Sequence, residues 1–382
     1  MRSTVPPPPD GGGGAGEEFW WRPVAESGPP TGPRHRVVKE MERLALLGHE
    51  RLDELRHKLL GYRAGDLWFP AGGIPKQDTD IPPVITVLLV GFAGVGKSSL
   101  VDLMYSVLGR AGFVPFAQAS SPAGKDGRTL CLEEHNVLRS MRNGFCVFDS
   151  RGLDYDRVAN GIEEASDWIE NGVRHRQLCR GAESFSAAAT STTSSSSPSV
   201  PVSVSPSAAT KRFVRRRVNC AIVVASLSEL YQSLVSGDVR RLNATRDLFH
   251  CPSIKASCNE NPILVLTHGD ELTAEERING RIRICEFLGI SDTGGVYDVP
   301  CINEHGALVD EMDPVTAYAV SEAIYRALLV ADRGHPPKPS VKDWVLLALT
   351  WSMYTLSALF AFLSCCCSKA AKASRDQKLR RQ

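Results

Sequence analysis

Two short stretches carry residues whose types and spacing suit phosphate chemistry. Gly91-Phe92-Ala93-Gly94-Val95-Gly96-Lys97-Ser98, followed by Ser99, fits the pattern G-x-x-x-x-G-K-S/T. Glycines let such a loop curl until successive backbone N–H groups face phosphate oxygens. Lys97 would supply a point charge to the β- and γ-phosphates, and the Ser98 hydroxyl a ligand for Mg2+. A helix starting at this loop adds its positive N-terminal end. The second stretch is Asp149-Ser150-Arg151-Gly152, which begins 52 residues beyond Lys97 and closes the apolar run Phe145–Asp149. There Asp149 would complete the Mg2+ shell through water, and the Gly152 N–H would sense a γ-phosphate.

These residues need a frame. Apolar, β-rich runs occur at Val84–Val90, Thr129–Leu132, Phe145–Asp149, Cys220–Val224, Pro262–Thr267 and Val296–Ile302, with helical patterns between them. Ser98–Leu108 reads as a helix stopped by Gly109. Glu271–Leu288 reads as another, with Thr273 and Glu276 as a capping box and Gly289 as the stop. Such alternation predicts an α/β fold around a mainly parallel sheet covered on both faces. Residues 84–333 are expected to form this domain. The low-complexity Ser/Ala/Pro segment 184–209 is read as a flexible surface insertion within it.

Thr267-His268-Gly269-Asp270 follows the fifth run, and Cys301-Ile302-Asn303-Glu304 ends the last. Together with Gly91–Ser99 and Asp149–Gly152, in this order, they resemble the motifs of the P-loop GTPase (G-domain) superfamily. The Thr-His start, in place of the usual Asn/Thr-Lys, is similar to its septin-like branch. That branch includes chloroplast outer-envelope import receptors and immunity-associated GTPases, and the chain resembles a plant-type, tail-anchored member. The resemblance implies a three-layer P-loop fold, GTP or GDP as ligand and Mg2+ as cofactor. It implies that Asp270 accepts hydrogen bonds from guanine N1 and N2, that Thr267 and His268 line the base site, and that Asn303 and Glu304 lie near the base. It also implies a switch threonine over Mg2+. Thr129 is the candidate, Ser120 and Ser121 are rivals, and a threonine that merely opens a strand is the alternative. The relatives further suggest a nucleotide-dependent homodimer across the switch face.

In Ras-like enzymes a glutamine after the Asp149–Gly152 type of motif orients the attacking water. Here that position is Leu153, so intrinsic hydrolysis is expected to be slow or completed from elsewhere. Arg151 is a conceivable charge-stabilising group, or else a surface or interface arginine. The expected function is a GTP-binding switch with slow or assisted GTPase activity. The alternatives are a non-hydrolysing GTP-binding scaffold and an ATPase.

The rest of the chain bounds the setting. Its 382 residues carry a net charge of +1, which argues against a global attraction to nucleic acid. Eleven cysteines, scattered but for Cys365–Cys367, show no disulfide or zinc spacing and read as free thiols. Residues 1–36, rich in Pro and Gly, are expected to be disordered. In 37–62 a stripe of Val38, Met41, Leu44, Leu46, Leu47, Leu52, Leu55, Leu59 and Leu60 predicts an amphipathic helix, packed on the following domain or on a second copy.

After a Pro-containing linker, 334–343, Trp344–Leu363 is a charge-free run of 20 residues, enough to cross a bilayer as a helix. A basic tail, 364–382, follows. The expected arrangement is a single-pass C-terminal anchor with the nucleotide domain in the cytosol. Its membrane would be an organelle outer membrane (chloroplast or mitochondrion) or the ER. The basic tail lies on the side that must cross, against the positive-inside preference, but it is short. Cys365–Cys367 would be palmitoylated or simply interfacial.

Overall fold

Runs of aliphatic and β-branched residues set the frame, in a computed structural model that describes residues 19–25, 31–70, 75–109, 131–138, 144–179, 213–258, 261–300, 313–338 and 341–379. The strands are β1 (Ile85–Val90), β2 (Cys131–His135), β3 (Phe145–Asp149), β4 (Gln177–Leu178), β5 (Cys220–Ser226), β6 (Ile263–Thr267) and β7 (Val296–Asp298). Every residue of β1, β3, β5 and β6 is buried. Alternate side chains point to opposite faces of a strand, so both faces of the sheet are covered there. The order is β4-β2-β3-β1-β5-β6-β7. Neighbours from β3 to β7 are parallel, and β2 is antiparallel to both β3 and β4. The α/β class and the mainly parallel sheet are as expected.

Among the described residues the second strand is Cys131–His135, which runs past the expected end at Leu132 and carries two glutamates. Arg216 makes that possible, donating from Nε to Glu134 at 2.9 Å. Thr129, Ser120, Ser121, Asn303, Glu304 and the insertion 184–209 lie outside the described residues.

The helices are α1 (Arg22–Ala25), α2 (Pro33–Gly61), α3 (Lys97–Gly109), α4 (Val158–Asn171), α5 (Leu227–Ser236), α6 (Arg240–Phe249), α7 (Pro252–Cys258), α8 (Ala274–Leu288), α9 (Pro314–Arg333) and α10 (Val341–Leu379). The capping box of α8 forms as expected, and Gly289 ends the helix in the left-handed region.

Disorder across 1–36 does not hold throughout. Trp21 is 2% exposed and stacks on Phe19 at 4.6 Å, and Val24 is buried. Three consecutive aromatics bury enough surface to order a short segment in an otherwise Pro/Gly-rich stretch. Helix α2 starts at Pro33, before the expected Val37, with proline in its first turn where the missing N–H is harmless. It packs on its own domain: Arg43 pairs with Glu322 of α9 at 2.9 Å and Arg36 with Asp292 at 2.8 Å. Val37, Val38, Met41, Leu44 and Leu59 are buried, whereas Leu46 and Leu60, expected in the stripe, face solvent.

At the end of β2, His135 is buried against Tyr105, with Nδ1 3.5 Å from the phenol oxygen and Nε2 3.7 Å from Glu133. Burial, helped by nearby His175, lowers its pKa to about 4. The unfolded chain, titrating near 6.5, then binds more protons than the native protein between about pH 4 and 6.5. Stability should therefore fall as pH drops through that window, by up to about 1.4 kcal/mol per unit. Urea unfolding at pH 7 and pH 5 should show a flatter dependence in His135→Gln.

A second unit comprises Pro70–Asp80 and His335–Gln382. In it Thr79 bridges Pro337, and the Asp80 N–H donates to Pro336 at 2.9 Å. The expected linker 334–343 is thus partly paired, and α10 already begins within it at Val341. Trp344–Lys369 is 26 residues with mean hydropathy 1.7 and no buried part, longer than the expected 344–363. Its hydroxyls turn back onto the helix: Thr350 donates to Leu346 and Thr355 to Ser352. By length and apolarity this helix suffices to span a bilayer.

Candidate functional site

Leu89 of β1 lies opposite Asp149 of β3. That register delivers the loop after β1 and the carboxylate ending β3 to the same carboxyl edge of the sheet, where parallel α/β sheets form ligand crevices. Gly91 to Gly96 make the loop, and Lys97, Ser98 and Ser99 open α3. Gly94 and Gly96 have φ of 82° and 79°, a left-handed conformation natural to glycine. Ala93 and Gly94 are exposed, while Phe92 and Val95 turn inward.

The Lys97 ammonium is buried and donates to the carbonyls of Gly91 at 3.0 Å and Phe92 at 2.9 Å. Burial lowers its pKa to about 8, against the pull of Asp149. Ser98 Oγ donates to Asp149 Oδ2 at 2.5 Å. The other carboxylate oxygen, Oδ1, is buried with no hydrogen-bond partner among the described residues. Burial raises Asp149 to about 6, while Lys97 and the Ser98 bond favour its ionised form. Leaving such an oxygen unpaired costs about 1–3 kcal/mol. A serine hydroxyl beside a carboxylate suits a hard cation that shares its shell with phosphate and water, so the pair fits Mg2+. Among the described residues no group of three or more His, Cys, Asp or Glu is gathered for a metal. A cation here would rest on Ser98, Asp149 and ligand oxygens.

The Asp149–Gly152 stretch is fastened to the loop. Leu153 N–H donates to Gly91 at 3.0 Å, and Ala93 N–H donates to Leu153 at 2.9 Å. Leu153 is buried. Just beyond it, the Tyr155 ring stacks on Phe92, with centroids 4.1 Å apart and planes 8° from parallel. The Arg241 guanidinium lies 5.1 Å from the Tyr155 centroid and pairs with Glu229 at 2.8 Å. Sequence reasoning missed this stack; the signal was an aromatic inside a glycine-rich loop and a second one two residues past Leu153. Arg151 is half-buried near the Cys179 thiol.

The third arm comes from β6, two strands from β1. Thr267 Oγ1 sits 2.9 Å from the Val95 carbonyl and 3.0 Å from His268 Nδ1, which joins this arm to the loop. His268 takes φ 56°, and Gly269–Glu271 form one 3-10 turn in which Asp270 is exposed. Loop, Lys97, Ser98, Asp149, Gly152 and Thr267 thus gather at one edge, with His268 and Asp270 just beyond Thr267. No protein-family model matches the chain, and no curated protein matches it.

Proposed function

We propose that the protein binds a guanine nucleotide with Mg2+ and acts as a membrane-anchored switch of the P-loop GTPase type, similar to the septin-like branch. The observation that carries this reading is the convergence of Lys97, the Ser98–Asp149 pair and the Thr267–Asp270 turn at one sheet edge. Lys97 and the loop N–H groups hold the phosphates, and the Gly152 N–H faces the third. Ser98 and Asp149 would hold Mg2+, which neutralises phosphate charge. Guanine presents two adjacent N–H donors that a carboxylate can accept together, and adenine does not, so Asp270 selects the base. Leu153, buried and aliphatic, cannot orient a water, so hydrolysis is slow or completed by a second copy or partner. Helix α10 is the tether, and the nucleotide domain faces the cytosolic nucleotide pool at an organelle outer membrane or the ER.

Competition of fluorescent GDP by ATP tests the base assignment. ATP should compete at least about 100-fold more weakly than GTP, and Asp270→Ala should erase most of that gap, since a lost pair of hydrogen bonds to a charged group costs about 3 kcal/mol. Equal competition by ATP in the wild type would defeat the guanine reading and leave an ATP-binding protein. Single-turnover assays at rising protein concentration separate switch from scaffold. Phosphate release that accelerates with concentration supports assisted hydrolysis, and none at any concentration leaves a GTP-binding scaffold.

A further inference from the structure

We infer that the N-terminal aromatic segment Phe19–Ala25 is a latch that positions the base-selecting turn His268–Asp270, acting through Arg277 and Asp298; this rests on the guanine reading above. The chain of contact is short. Asp298 ends β7 beside Leu266 of β6, so its carboxylate lies next to the turn that follows β6. Arg277, in the first turns of α8, grips it from two nitrogens, Nε at 2.6 Å and Nη2 at 3.0 Å. Both residues are buried.

Gly269 lies directly against this pair. A Cβ at that position would stand 2.6 Å from Arg277 Nε and 2.8 Å from Asp298 Oδ1. The turn therefore takes its height from the ion pair, and any larger residue would lift it. His268, one residue earlier, holds a left-handed backbone that a non-glycine residue keeps only when its surroundings impose it.

Trp20 closes the other side. The Arg277 guanidinium carbon is 4.0 Å from the Trp20 ring centroid. An aromatic face over a bidentate Arg–carboxylate pair excludes water and strengthens both interactions. The segment has its own anchorage: Trp21 and Val24 are buried, Trp20 meets Trp21 edge-on at 5.5 Å, and Arg34 of α2, which bonds Glu275 of α8 at 2.8 Å, donates to the Val24 carbonyl at 3.4 Å. Pulling Phe19–Ala25 away would wet the pair and free the turn. Trp20 and Arg277 are thus positioning residues for base selection, and displacement of the segment is a means of releasing nucleotide.

The test compares full-length wild type, Trp20→Ala and Trp20→Phe in detergent, with thermal melts to establish folding. In ligand-free protein, hydrogen exchange across 268–272 should quicken several-fold in Trp20→Ala and stay near wild type in Trp20→Phe. Titrated with GDP and with inosine diphosphate, which lacks the 2-amino group, Trp20→Ala should lose about tenfold in GDP affinity and most of its preference for GDP. Its affinity for inorganic triphosphate should not change. Unchanged exchange and unchanged GDP preference would overturn the latch, as would an equal loss for GDP and triphosphate. Wild type that binds triphosphate but shows no preference for GDP would instead overturn the guanine reading, while the exchange rates still judge the contact itself.

Discussion

Lys97→Ala should give a folded protein without the proposed nucleotide binding, with affinity for GDP and GTP down by at least about 1,000-fold, or roughly 4 kcal/mol. The ammonium is the cation buried beneath the loop, and a charge-assisted contact to phosphate in a desolvated site is among the stronger single interactions available to a ligand. The fold should survive because the native state already disfavours this charge: burial has brought Lys97 down to about 8. Removing it relieves that cost, while the Gly91 and Phe92 carbonyls lose a donor, and the two changes act in opposite directions. Calorimetric titration with nucleotide, paired with a thermal melt, reads both halves. Binding within threefold of wild type would remove the loop from the phosphate role altogether. The variant does not choose between guanine and adenine, which is the task of Asp270.

Gly152→Ala should damage the site by a single methyl group. Its Cβ would lie 2.5 Å from Ala93 Cα and 2.9 Å from Ala93 N, and both neighbours are backbone. Relief requires the Asp149–Leu153 stretch to part from the loop, which strains the hydrogen bonds between Leu153 and Gly91 and between Ala93 and Leu153. Overpacking of this kind costs about 1–3 kcal/mol, visible as a lower midpoint in urea. The functional loss should be uneven. The Gly152 N–H faces the γ-phosphate in the proposed site, so GTP affinity should fall about tenfold or more beyond GDP affinity. Equal weakening of both nucleotides would show that this stretch does not sense the third phosphate.

The parts legible in the sequence were those whose neighbours are dictated locally. β3 is Phe145–Asp149 as read, because a strand buried on both faces is an unbroken apolar run. The α8 cap was equally clear, since Thr273 and Glu276 satisfy each other three residues apart. Lys97, Ser98 and Asp149 could be placed together because one strand-to-helix loop and one strand end needed only to be adjacent. What escaped depends on distant partners. Glu133 and Glu134 made the second strand read as ending at Leu132, and the support for its extension, Arg216, is 82 residues from Glu134. The Arg277–Asp298 pair and the Trp20 ring over it join three segments with no shared periodicity. Phe19–Trp21 was hidden by its surroundings, because a Pro/Gly-rich composition averages away three aromatics. The Thr267 contact with Val95 spans 172 residues and follows only from the strand order.

The seating of α2 on α9 has a consequence for how the protein is made. Arg43 and Glu322, which meet across this pair, are 279 residues apart in the chain. At about 5–20 residues per second of synthesis, on the order of 15–60 s pass between the appearance of the two. Through that interval Met41, Leu44 and Leu59 have no α9 to cover them. Such non-local closure is slow in refolding as well. The newborn domain therefore spends its first minute with a sticky helix in the open, and its yield in a cell should depend on a chaperone that shields that helix until residues 314–333 arrive.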